Sequence, residues 1–399
     1  MASLLIAFIA FAVCPSSAVF YNKENSRPIG FNDFLYYYGT GSLVKNGSTD
    51  IYNSQLQQEN LSNIIGAPVA NIIPYLYPPQ SLLFFAPLAE FPLKTSFRIW
   101  LAFNILATLS LLVALYFFSL NAKPGSSLLA ASLIIFCYPW VTSIMQGQTT
   151  ILMTAGLLGY QLLARYKHHV LAGLLIVLIA FKPQLILAPV LYVLIINGRS
   201  LWVSTIAAAL AIIIICSFLF GFSIWQSYMD VILAASKETD KLGVKLNIMG
   251  NIRALLLFFA GEKNLSAINI ASSLLWVGSV IAAVFIAIKM RTKTQELQDM
   301  GFGLIIAISC LFSPWLHIHS LVLLIIPLAY LAKYNDLRPR YLYAGGLINF
   351  NLLAMFVDSY GARFNPLLWV FFQTLLISFI SYNILLKNKK TSTLSAVNP

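Results

Sequence analysis

Asp33 stands in the stretch Ile29-Gly30-Phe31-Asn32-Asp33-Phe34-Leu35-Tyr36-Tyr37-Tyr38, in a chain with only 13 acidic side chains among 399 residues. A carboxylate set among aromatic rings is partly desolvated, which raises its proton affinity and suits it to take a proton from a hydroxyl. Asn32 or Asp33 fits equally well as the cap of a short helix. Three further polar stretches interrupt otherwise apolar sequence: Gln146-Gly147-Gln148, Lys182-Pro183 and Ser313-Pro314-Trp315-Leu316-His317-Ile318-His319. A lysine in such a setting must reach water, pair or hold an anion. The proline beside it frees backbone groups, which is tolerated where they line a cavity inside the protein. His317 and His319 could be metal ligands, but no companion cluster of Cys or His accompanies them, so no metal is expected. Hydrogen bonding to a phosphate or a sugar suits them better. Gln146 to Gln148 also reads as a tight polar turn, residues 313–319 as an interfacial turn, and Asp358 with Arg363 as a loop pair.

The elements that must position these residues are set by composition. The chain is 59% hydrophobic and 10% charged, with a mean hydropathy of +0.81, far from an ordinary soluble domain. Such a chain buries its apolar surface in lipid, and spanning segments must satisfy their own backbone, which implies an all-α polytopic membrane bundle. Apolar runs fall at 2–19, 97–120, 127–145, 149–164, 170–181, 184–196, 202–221, 267–288, 301–312, 320–332, 341–357 and 367–386. They imply about twelve spans. The run at 2–19 also fits a cleaved signal peptide, but is read as a span. Residues 81–92 are too short to cross a core of about 30 Å and read as a re-entrant or interfacial helix. Residues 254–260 are expected to lie on the membrane. The whole chain, 1–399, reads as one transmembrane domain with outer segments at 20–96 and 222–266.

Charge orients it. The formal net charge of +12 comes from basic residues scattered through short loops, which in a membrane protein carries topology and not nucleic-acid binding. Lys123, Arg165, Lys167, Arg199, Lys289, Arg291, Lys293, Lys333, Arg338, Arg340, Lys387, Lys389 and Lys390 fall on one side, which is therefore cytoplasmic. Both outer segments then face away from the cytoplasm and carry Asp33 with them. Cys14, Cys137, Cys216 and Cys310 lie in apolar runs and read as small hydrophobes.

The order of motifs carries a resemblance. Asp33-Phe34 with Tyr36 to Tyr38 is followed by Asn46-Gly47, Ile51-Tyr52, Tyr77-Pro78-Pro79, Ala86-Pro87-Leu88, Gly147-Gln148, Leu171-Ala172-Gly173, Lys182-Pro183, and Ser313-Pro314 with His317 and His319. This series resembles glycosyltransferase family 87, the polyprenyl-phosphate-mannose-dependent alpha-mannosyltransferases of bacterial membranes, from about residue 31 to residue 323. The resemblance implies a GT-C-like fold in a bacterial inner membrane, with the active site on the non-cytoplasmic face. It also implies an inverting transfer of a hexose, most readily mannose, from a polyprenyl-phosphate sugar to a glycan or glycolipid acceptor. Asp33 then matches the general base of the first outer loop. Lys182, helped by His317, His319 and Gln148, is expected to hold the donor phosphate, while Tyr36, Tyr37 and Tyr77 line the substrate. Partners are the lipid donor, the acceptor and membrane lipids, without nucleic acid, cofactor or metal. A carrier or flippase of polar lipid or sugar would also suit broken helices and an intramembrane cation, and a GT-C transferase for another sugar would use the same site.

Overall fold

The computed structural model describes residues 33–69, 72, 74–119, 138–237, 249–334 and 365–397. The runs expected at 2–19 and 341–357, the first part of that at 127–145, Asn32, Asp358 and Arg363 lie outside the described residues. Within them the chain is all-helical, and extended pairing is confined to one bridge between Met249 and His317.

The chain opens with α1 (Asp33–Lys45) and α2 (Ser54–Ile65), then a 3₁₀ turn at Pro79–Ser81 and the short α3 (Leu82–Leu88). After α4 (Leu93–Ser119) come α5 (Tyr138–Met145), α6 (Thr150–Arg165), α7 (His169–Leu178) and α8 (Pro183–Asn197). Next are α9 (Arg199–Phe220), α10 (Ser223–Lys237), α11 (Ile252–Ala260), α12 (Leu265–Met290) and α13 (Gln295–Phe312). A 3₁₀ segment at Ile318–Leu324 leads into α14 (Ile325–Tyr334), and α15 covers Asn365–Val397.

Among the described residues four helices are long and apolar enough to cross a membrane: α4 over Leu93–Ala114, α9, α12, and α15 over Pro366–Asn388. Their outward faces are apolar, with Val203, Ile206, Leu210, Ile214 and Phe218 exposed on α9 and Ile270, Leu274, Ile281 and Phe285 on α12. A helix apolar on all sides needs an apolar surrounding, and here that is lipid. The figure of about twelve spans counted shorter helices as well. Helix α6 has 16 residues and rises only about 24 Å, so it packs inside the bundle without meeting the length of a span. Segment 254–260, expected on the membrane surface, forms most of α11 and packs on α12 and α15 with Arg253, Ala254 and Leu257 buried.

Two ends of the bundle are polar in different ways. Helices α6 and α8 begin just after Gln148 and Lys182 and end at Arg165 and Asn197. At the Arg165 end, the fully buried Asp299 of α13 accepts from Gln161 (3.1 Å), Gln295 (3.0 Å), the Tyr334 hydroxyl (2.6 Å) and Arg165. Lys387 of α15 pairs with Glu296 beside it. A buried carboxylate is tolerable only when paired and hydrogen-bonded in this way. The cluster draws α6, α13, α14 and α15 together at the end opposite Gln148 and Lys182.

Candidate active site

The turn at residues 146–148 is built by the helix before it. Gly147 has φ 64°, Gln148 N–H donates to the Ser143 carbonyl (2.8 Å), and Gly147 N–H donates to that of Ile144 (3.1 Å). This is a Schellman termination, in which glycine takes the left-handed position that a side chain would strain. Trp100 of α4 pins the turn by donating its indole N–H to the Gly147 carbonyl (2.6 Å). The first turn of α1 is tied to the same place, since Phe34 N–H donates to the Gln146 carbonyl (3.2 Å).

Helix α1 is held by its aromatic face. Phe34 meets Phe97 edge-on (5.4 Å between centroids) and stacks with Trp100, while Tyr37 stacks on Phe85 of α3 (4.6 Å). Gly41 lets α1 and α3 touch backbone to backbone, because an added Cβ would fall inside the Phe85 carbonyl. Asp33, first residue of α1, thereby faces Gln148, whose side-chain N–H₂ donates to its Oδ2.

The Gln148 carbonyl end faces three donors. Lys182 Nζ lies at 3.2 Å, the Tyr37 hydroxyl at 3.2 Å and the Tyr77 hydroxyl at 3.4 Å, with the two tyrosine oxygens 2.6 Å apart. A lysine ammonium can only donate, so the amide must point its oxygen toward Lys182 and its nitrogen toward Asp33. Lys182 occupies the break between α7 and α8, where Pro183 stands at the first helical position and loses no hydrogen bond there. Its ammonium also reaches Ser320 Oγ (3.2 Å) and His319 Nε2 (3.1 Å). While Lys182 is charged, that nitrogen must accept, which places the His319 proton on Nδ1.

The histidines sit on the break after α13. Asn251 caps α11 and donates to the Ser313 carbonyl (2.7 Å), Gly250 N–H donates to that of Leu316 (3.0 Å), and Ser143 Oγ donates to that of His319 (3.0 Å). The His317 and His319 rings stack with centroids 5.4 Å apart. Arg253, buried, lays its guanidinium over Trp315 (4.9 Å).

The Gln148 turn, Lys182, Ser320 and both histidines border one cavity of about 1060 Å³. Asp33, Tyr36, Tyr37, Tyr77, Gln148, Lys182, His317 and His319, the residues singled out from sequence, all line it. Asp50, Glu59 and Glu90, the other described acids of the first outer segment, do not; Asp50 and Glu59 accept from Asn53 and Gln55 at the surface, and Glu90 pairs with Lys45. Residues that sequence did not single out complete the wall. Ser320 follows His319 directly and was within reach of the same motif, whereas Tyr75, Trp225 and Tyr228 come from aromatic positions with no signal of their own. Beyond the polar wall the cavity turns apolar, with Ile212 and Ile213 of α9, Leu187 and Val190 of α8, and Trp276 and Val277 of α12.

Asp33 and Lys182 lie outside the four membrane-length helices, and burial governs both. It pushes the Asp33 carboxyl well above the usual carboxylate range, partly offset by the Lys182 charge. It pulls the Lys182 ammonium down from the usual lysine value, partly offset by Asp33. Though near each other, the two form no direct ion pair: the Gln148 amide stands between them. The arrangement offers a half-buried proton acceptor and a half-buried cation, joined by one buried amide, at the wall of a cavity.

No curated protein sequence matches the chain. The sequence profile of glycosyltransferase family 87 matches residues 75–314, running from Tyr75 through the Gln148 turn and the Lys182 break to Pro314. Asp33, His317 and His319 lie outside the matched stretch and enter the site through geometry. Since that stretch covers more than half of the 399 residues, and four helices among the described residues are long and apolar enough to cross a membrane, the chain belongs to glycosyltransferase family 87 and is a membrane glycosyltransferase.

Proposed function

We propose that the protein moves a hexose, most readily mannose, from a polyprenyl-phosphate sugar to a glycan or glycolipid acceptor on the non-cytoplasmic face, with inversion. The observation that carries this reading is the lining of the cavity. It joins Asp33 and Lys182 to apolar side chains from two membrane-length helices, α9 and α12. A donor with a charged phosphate and a hydrocarbon tail has matching chemistry at both ends.

In this reading the acceptor hydroxyl gives its proton to the Asp33 carboxylate as its oxygen attacks the anomeric carbon. The bond from that carbon to the phosphate oxygen breaks, and the lipid phosphate leaves with one more negative charge. Lys182, oriented by Gln148 and backed by His319 and His317, stabilises that charge, which a preorganised cation does better than mobile water. Lys182 already donates to three neutral acceptors, so an arriving phosphate oxygen replaces one of them at little cost to the lysine. Tyr36, Tyr37 and Tyr77 present ring faces to the sugar. The basic loops gather at the far end of α6 and α8, so the positive-inside rule supports a site facing away from the cytoplasm.

Transfer of radiolabel from polyprenyl-phosphate mannose into a glycan or glycolipid fraction, by purified protein in nanodiscs, tests the reading. Labelled product is expected. Label that crosses a vesicle membrane while remaining on the unchanged donor would replace the transferase reading by a carrier.

A further inference from the structure

The Gln148 amide is buried and fully used. Its nitrogen donates to Asp33, and its oxygen accepts from Lys182 and from one hydroxyl of the Tyr37–Tyr77 pair, whose other proton joins the two tyrosines. Its backbone is fixed by the Schellman turn and by the Trp100 bond to Gly147, so it cannot readily swing aside. Lys182, by contrast, has a flexible four-carbon stem and ends within one amide's width of the carboxylate. From these contacts we infer that Gln148 is a positioning residue, a neutral spacer that holds Lys182 away from Asp33 and keeps the two from closing into an ion pair. The inference deepens the reading of Asp33 as base and Lys182 as phosphate partner, and takes its functional meaning from that reading.

The physical reason for such a spacer is that the two roles conflict. A cation in direct contact with a carboxylate favours its charged form and so weakens it as a base. The same contact would tie up the ammonium needed by the leaving phosphate. An amide between them lets each group feel the other's charge without neutralising it. It also supplies an N–H to one oxygen of Asp33, which lines the cavity. The groups facing Asp33 are then Tyr37 from its own helix, Tyr77 from the segment before the 3₁₀ turn, and Lys182 from the α7–α8 break. His319 and His317 stand behind the lysine.

The sign of one shift separates this role from a simpler one. In Gln148→Leu the spacer's shape is roughly kept and its polar atoms are lost. If Lys182 then closes on Asp33, the Asp33 titration moves to lower pH, by about one unit or more for an opposite charge brought into contact. If Gln148 is only a hydrogen-bond donor to the carboxylate, its loss moves the titration to higher pH, because a donor favours the charged form. The readout is the infrared C=O stretch of protonated Asp33, assigned as the band absent from Asp33→Asn and followed against pH in the full-length protein in nanodiscs. This requires no turnover, so it stands even if the transferase reading fails, and the transfer assay judges that reading separately. A downward midpoint in Gln148→Leu, abolished in Gln148→Leu with Lys182→Met, is expected. An unchanged or raised midpoint overturns the inference. Should Gln148→Leu not fold, Gln148→Asn, whose shorter amide cannot reach both partners, is read by the same sign.

Discussion

At the residue scale, the site rests on two groups held off their ordinary protonation behaviour by burial. Ordinary values are near 4 for Asp and near 10.4 for Lys. Asp33 is shifted upward and Lys182 downward, each first by desolvation and then oppositely by the other's charge. The working form has Asp33 ionised and Lys182 charged, so activity is lost below the raised carboxyl value and above the lowered ammonium value. The kcat profile is therefore expected to be a bell, with its acidic limb above the usual carboxylate range and its alkaline limb below the usual lysine range. Because the groups interact, the limbs belong to the pair. A flat profile from pH 5 to pH 9, outside both ordinary ranges, would count against it. Lys182→Ala is expected to weaken donor use more than tenfold, the loss of a charge-assisted hydrogen bond of roughly 1.5–3 kcal/mol; unchanged donor kinetics would reduce Lys182 to a helix-end residue. Much of this was legible in the sequence, because a lone acid or lysine in apolar sequence is costly and so conspicuous. What was not legible is the role of Gln148 as a bridge, since its two partners are 115 and 34 residues away.

At the scale of elements, the site is assembled from helix ends. Breaks at Gln146 to Gln148, at Lys182-Pro183 and before His319 were readable from Gly, Pro and polar residues inside apolar runs, and each marks a helix boundary. The packing of α1 was not readable, because Phe34, Tyr37 and Gly41 meet partners on α3 and α4 that no local periodicity announces. Gly41→Ala is expected to force α1 away from α3, at about 1–3 kcal/mol as overpacking typically costs. Thermal unfolding in detergent should show a lower Tm, and transfer should fall with it because Asp33 rides on the same helix. Wild-type stability and rate in that variant would show that the α1–α3 contact does not position the base. The sequence reads 222–266 as an outer segment without assigning helices to its first part, yet it supplies α10, whose Trp225 and Tyr228 border the cavity. Helix α10 presents apolar residues toward the bundle, and a mean over the segment hides that one-sided pattern.

At the scale of the molecule, the class was fixed by composition and the count of spans was not. Apolar runs of 12–16 residues do not say from sequence whether a helix crosses, re-enters or packs inside the bundle. The two polar ends give the orientation its physical basis. The Asp299 cluster and the basic loops sit at one end of α6, and Gln148 sits at the other. Lys389→Cys is expected to react with a membrane-impermeant thiol reagent only after permeabilisation, as a cytoplasmic C-terminal end requires. Labelling in intact cells would turn the bundle over and move the site to the cytoplasmic face.

The most direct measurement is transfer from polyprenyl-phosphate mannose by purified wild type and Asp33→Asn, side by side in nanodiscs. Asparagine keeps the size and the capping ability of aspartate, and it can still accept from Gln148, but it cannot take a proton from the acceptor. A general base predicts a loss of about 10²–10⁴-fold with donor binding retained. Asp33→Asn turning over at more than about a tenth of the wild-type rate, well short of that loss, would contradict the account and leave Asp33 a structural residue of α1.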